Sequence, residues 1–131
     1  MKQPKLDLTK EYKTYYTAAK TMPEIVEVEE GKFLTIEEGG VPGVMNFKLK
    51  LELVNEVKFE KMKEGKCVQI LHIGPYSTEP ESSLEKMYNL MKGKKLVYNG
   101  FHHEIYISDP RKVAPEKMKT ILRQPVRHKN E

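Results

Sequence analysis

The sequence predicts an α+β fold, an antiparallel sheet with helices on one face. Three observations carry this. Several short segments alternate apolar and polar residues with the period of a half-buried strand. One segment near 82–93 instead repeats apolar residues at helical spacing. Glycine and proline clusters punctuate the chain between these segments. At 131 residues the chain suits a single domain spanning 1–131.

The elements follow in order. Residues 7–16, DLTKEYKTYY, read as a short helix capped by Asp7, with Leu8, Tyr12 and Tyr15 on one face. The break at 21–23, TMP, precedes EIVEVE at 24–29 and FLTI at 33–36. These two pair as a hairpin over the turn residues 30–32. Residues 38–43 are a glycine-rich loop, and 47–53 alternate strictly, with Phe47, Leu49, Leu51 and Leu53 on one face. Residues 56–62 and 67–73 form the next pair, joined over 63–66. The second of these, CVQILHI, is the most apolar strand and is expected to be central.

Gly74-Pro75-Tyr76 is a sharp exit from that strand. Pro80 and a capping box, Ser82 to Glu85, open a helix. Its apolar stripe is Leu84, Met87, Tyr88 and Met91; Gly93 ends it, with lysines near its negative end. Asn99-Gly100 is a turn, 101–107 a strand, 110–117 a proline-marked connection and 118–124 a last strand.

Composition excludes several classes. With 38% hydrophobic and 32% charged residues the chain has a soluble globular composition. No run approaches the roughly 20 apolar residues of a membrane span. Cys67 is alone, which excludes a disulfide framework. The opening MKQPKLDLTK has no apolar core of a secretory signal, so a cytoplasmic location is expected. The net charge of +4 belongs to residues 110–131, which hold seven basic and two acidic residues. No recognition helix or aromatic platform accompanies this basic end, so direct nucleic-acid binding is not expected.

Candidate chemistry concentrates on one strand. Alternation puts Phe101, His103, Ile105 and Ile107 on one face of 101–107, and His102, Glu104 and Tyr106 on the other. The apolar set is expected to face the helix stripe. The other face then carries an acid between two aromatic, hydrogen-bonding groups. It is either a solvated polar face or the wall of a cavity in which Glu104 binds a cation or acts as a base. Tyr76, at a strand-to-helix exit, is placed to face a ligand or to cover the core. His72 shares a face with Val68 and Ile70, a position that more often holds a hydrogen-bonded core histidine than a ligand. The four histidines and Cys67 show no zinc spacing, so no metal is expected. Cys67 reads as a buried, inert thiol. There is no nucleophile elbow, phosphate loop or dinucleotide fingerprint, and no cofactor is expected.

Two long stretches carry a resemblance. CVQILHIGPYSTEPE at 67–81 resembles the central motif of the gyrase-inhibitor-like (GyrI-like) small-molecule-binding family. HEIYISDPRKVAPEK at 103–117, followed by TILRQP at 120–125, is similar to the end of the same domain. The opening, from Tyr12 through Thr35-Ile36, resembles its bacterial stand-alone, hydrolase-like branch. The resemblance implies tandem strand–helix–strand–strand modules around a ligand cleft. It implies that Glu104 is the strand glutamate that meets cationic aromatic ligands. The implied ligand-binding set is Tyr76, His72, His102, Glu104 and Tyr106. In hydrolytic relatives Glu104 would orient or deprotonate a water, and Tyr106 or Tyr76 would hydrogen-bond the developing negative charge.

One departure stands out. Residues 39–55, GGVPGVMNFKLKLELVN, are short for the family's first module, and tryptophan is absent, so that module reads as truncated. A homodimer would then be one way to complete the cleft. Three functions follow in order. The first is binding of flat apolar or cationic small molecules. The second is hydrolysis of reactive cyclopropane-bearing DNA-alkylating compounds. The third is a protein-interaction module, such as a topoisomerase modulator, using the basic 110–131 region.

Overall fold

The computed structural model describes residues 4–37 and 57–131. The loop read at 38–43, the strand read at 47–53 and the truncated-module segment 39–55 lie outside the described residues. The chain forms two compact units, one from 1–28 with 64–131 and one from 29–63. In the smaller unit Thr35 donates its hydroxyl to Glu60, and Lys58 pairs with Glu37 at 3.6 Å on the surface.

Asp7 starts the chain's first ordered turn. Its carboxylate accepts from the Thr9 backbone N–H at 3.1 Å, capping α1 (Leu8–Glu11) as the sequence suggests. Tyr12 breaks the helix, and a second turn follows, α2 (Lys13–Tyr16). The next two expectations change. The hairpin read over 24–36 is one uninterrupted strand, β1 (Glu24–Thr35). Its Gly31 is not among the glycines with positive φ, so it makes no tight turn. The pair read at 56–62 and 67–73 is likewise one strand, β2 (Lys58–Ile73). Gly65, at φ +67, lies within it, the mark of a bulge rather than of a hairpin. β1 lies beside β2.

After β2 the chain makes a short 3₁₀ turn at Tyr76–Thr78 and a wide π turn at Pro80–Leu84, then enters α3 (Glu85–Gly93). The capping box does not form. The Ser82 hydroxyl donates to the Thr78 carbonyl at 2.7 Å, continuing the turn upstream. β3 (Leu96–Tyr98), a strand too short to show a period in the sequence, precedes β4 (His103–Tyr106) and β5 (Lys119–His128).

The sheet order is β1-β2-β5-β3, with β4 also on β5. CVQILHI is an inner strand, but β5 pairs with three others. β4 covers its residues 120–123 and β3 its residues 126–128 along the same edge. Pro125 sits in the gap between them, where its missing N–H costs no ladder bond. Its carbonyl accepts from the Asn99 N–H at 2.9 Å. The Asn99-Gly100 turn passes so close that a Cβ on Gly100 would meet the Pro125 ring at 3.2 Å.

Register then assigns the faces. Ile70, Leu122 and Glu104 are cross-strand partners, as are His72, Thr120 and Tyr106. Val68, Ile70, Leu122, Val126 and Leu96 pack with Met87 and Met91 of α3 into the main core. This reverses the expectation for 101–107: it is the Glu104–Tyr106 face, not the His103–Ile105 face, that lies on the helix side. The other face explains why. There Gln69, Arg123 and His103 are partners across β2, β5 and β4. Arg123 is only 2% exposed. It donates to Gln69 at 2.9 Å, to Glu64 at 3.0 Å, and to the Thr14 and Tyr15 carbonyls of α2 at 3.2 and 3.0 Å. His103 bonds the second Glu64 oxygen, and Gln69 passes the network on to the Thr17 carbonyl and Glu24. A buried guanidinium needs partners on every side, and His103 completes the carboxylate that serves it. Cys67 lies buried beside this network, its thiol pushed up to about 12 by burial and by Glu64, an inert group.

Candidate functional site

The site is built where the sheet face runs past the start of α3. His72 fixes the roof. Its Nδ1 meets the Ser83 hydroxyl at 2.8 Å, and its Nε2 meets the Pro75 carbonyl at 3.0 Å. Thr78 and Ser82 hydroxyls lie at 3.2 and 3.3 Å from the same ring. A carbonyl can only accept, so Nε2 carries a proton and donates to Pro75. His72 therefore holds the connection 75–83 down on the sheet. It is buried, with both ring nitrogens engaged, and is not one of the side chains presented to solvent.

The others converge. Tyr106 donates its hydroxyl to Glu104 Oε2 at 2.8 Å. His102 Nε2 lies 3.9 Å from Glu104 Oε1. Tyr76, brought over by the 3₁₀ turn, meets the Tyr106 ring edge-to-face with centroids 5.7 Å apart. Both tyrosine rings remain about half exposed, so their faces are available. Burial pushes both tyrosine hydroxyls up, and the Glu104 carboxylate adds to it, so they stay protonated donors. Burial pulls His102 down, partly offset by Glu104.

Sequence reasoning missed Glu79. It is 5% exposed, and among the described residues its Oε1 has no hydrogen-bond partner. Burial pushes its carboxyl up to about 7, and the Glu104 charge adds to the shift. The signal was present: a helical turn after Pro75 puts Tyr76 and Glu79, at i and i+3, on one side. Thr120, registered between His72 and Tyr106, also has a buried hydroxyl without a partner among the described residues.

The arrangement offers a carboxylate, aromatic faces and a second, buried carboxyl. That is a setting for a cation or for proton transfer. Among the described residues no group of three His, Cys, Asp or Glu side chains is placed to hold a metal ion. No helix of the described residues is long and apolar enough to cross a membrane. A separate open cavity of about 630 Å³, lined by Ile73, Ile107, Val113, Lys112 and Lys119 among others, includes none of these site residues. None of its lining side chains is buried.

The chain is similar to several solved structures from Listeria innocua. An uncharacterized conserved protein aligns with a TM-score of 0.83 at 25% identity, over 94% of this chain and 100% of that one. A hydrolase aligns at 0.73 and 26% identity, over 94% and 100%. Another hydrolase aligns at 0.72 and 26%, over 95% and 100%. Among curated proteins none matches. The model of the GyrI-like small molecule binding domain matches residues 3–127. That match covers nearly the whole chain, both motif stretches and every residue of the site, and the chain belongs to the GyrI-like small-molecule-binding domain family.

Proposed function

We propose that the domain binds flat, apolar or cationic small molecules against Glu104, with Tyr76 and Tyr106 as the aromatic walls. The observation that carries this is the Glu104–Tyr106 bond beneath the edge-to-face Tyr76 ring. Tyr106 holds the carboxylate in one orientation, and the exposed ring surfaces supply stacking area and cation–π attraction. Family membership gives the small-molecule class; the cationic preference is read from the carboxylate between aromatic rings. His102 sits at the mouth beside Glu104 and sets how much positive charge the site already contains.

A second reading, hydrolysis, is favoured by the solved relatives described as hydrolases. In it Glu104 takes a proton from water as the oxygen attacks an electrophilic ring carbon of an activated cyclopropane. The ring C–C bond breaks, its electron pair moves into the conjugated carbonyl, and a protonated tyrosine hydroxyl hydrogen-bonds that oxygen.

Titration of the protein with thioflavin T, a flat cation, tests the binding reading. Saturable binding that Glu104→Gln abolishes, with an unchanged circular dichroism spectrum, is the expected result. Equal binding by the variant would remove Glu104 from the site.

A further inference from the structure

Among the described residues, Glu79 is the one buried carboxyl that neither the binding nor the hydrolytic reading uses. The network on the opposite sheet face satisfies its own charges: Arg123 and His103 each bond one oxygen of Glu64. The open cavity near Lys112 has no buried polar group. Glu79 differs from both. It is 95% buried by surface area, and among the described residues Oε1 has no hydrogen-bond partner, a costly state unless something else occupies that position. It sits between the 3₁₀ turn and the wide turn, in the connection that His72 clamps to the sheet, one helical turn beyond Tyr76. Among the described residues the titratable groups that interact with it are Glu104 and Tyr106 from β4 and Tyr76 from the preceding turn. A second oxygen acceptor beside an aromatic carboxylate site is suited to a positive charge, not to an anion.

We propose that Glu79 is a second anchoring carboxyl of this site, which gives up a proton to solvent as a cationic ligand enters. The inference rests on the cation-site reading above and deepens it. In the empty site two nearby carboxyls compete. Burial and the Glu104 charge keep Glu79 protonated up to about pH 7. An incoming cation reverses that balance, so uptake of one positive charge is coupled to release of one proton. The site then takes up cations more tightly as pH rises. Because bound and free forms differ by one proton, affinity falls about tenfold for each pH unit below the Glu79 midpoint. A ligand with no charge gains nothing from this exchange and binds with little pH dependence.

Calorimetric titration with thioflavin T at about pH 6.5, in phosphate and in bis-tris, tests this. The two buffers take up protons with different heats, so the difference counts protons released. Most of one proton per bound cation is expected at that pH and close to none at about pH 8.5, with binding about fourfold tighter at the higher pH. Glu79→Gln is expected to bind with no proton release and a flat pH profile. Binding by the wild type with no buffer dependence would overturn the proposal while leaving the cation site standing. The same proton release from a folded Glu79→Gln would overturn it too. Absence of any binding by the wild type would overturn both it and the reading beneath it.

Discussion

Arg123 and His103, cross-strand neighbours on β5 and β4, hold the two oxygens of the same carboxylate, Glu64. This places the charged network on one side of the sheet and the Glu104 site on the other. The two faces can therefore be tested separately.

Arg123→Ala takes the guanidinium from Glu64 and removes the Arg123 bonds to Gln69 and to the Thr14 and Tyr15 carbonyls. A loss of about 3–5 kcal/mol of stability is expected, as for other broken buried pairs. Urea denaturation reads it. Thioflavin T affinity under native conditions should change little, because the site faces the other way.

Acid should attack the same network. Burial pushes Glu64 up, but its bonds to His103 and Arg123 outweigh this and hold its carboxyl below the ordinary 4.5. A lowered carboxyl contributes stability above its unfolded value and loses it as pH falls through the folded one. The melting temperature should therefore drop below about pH 4.5, and Glu64→Gln should blunt that drop while lowering stability at neutral pH.

Glu79 works in the opposite sense. Its folded value, about 7, lies above its ordinary 4.5, so the folded state holds a proton that the unfolded chain has lost. Its contribution is fully present below about pH 4.5 and is lost as pH rises through about 7. Glu79→Gln should flatten this decline and stabilise the protein at pH 8 by ~1–3 kcal/mol. Equal slopes of melting temperature between pH 5 and 8 for both proteins would count against the burial described for this side chain.

The end of α3 offers a backbone test. Gly93 closes the helix with open space around any added Cβ, while Lys95 takes the left-handed conformation at φ +54. Gly93→Ala should stabilise by about 0.5–1 kcal/mol, since alanine loses less chain entropy in a helix. Lys95→Gly should have a neutral or stabilising effect, because glycine meets no steric penalty there. Thermal melts of both variants decide it.

Much of the site was legible because strand alternation is rigid. His102, Glu104 and Tyr106 share a face in the sequence as they do in the structure, and Tyr76 stands at the exit where Gly74-Pro75 put it. Which side of the sheet that face occupied was not legible. It depends on Arg123, which sequence pattern places in a strand but cannot pair with Glu64, 59 residues away. Two glycines misled in the same manner. Gly31 and Gly65 lie among charged residues and read as hairpin turns, yet strand pairing carries the chain straight through both. Glu79 was hidden for a different reason. A carboxylate followed by proline reads as surface, and only the wide turn clamped by His72 buries it.

The placement of β5 has a temporal consequence. It is the last strand among the described residues, yet β2, β3 and β4 all pair with it, and it carries both Arg123 and Thr120. During synthesis, β2 and the 75–83 connection emerge from the ribosome with nothing to pair against on that edge. The faces that β2 and β4 share with β5 cannot assemble until residues 119–125 have left the exit tunnel. Folding must therefore follow translation of this segment rather than accompany it, with every sheet contact to β5 made between residues distant in sequence or joined only at the end. Until then the apolar strand at 67–73 is exposed, the interval in which a chaperone would find it.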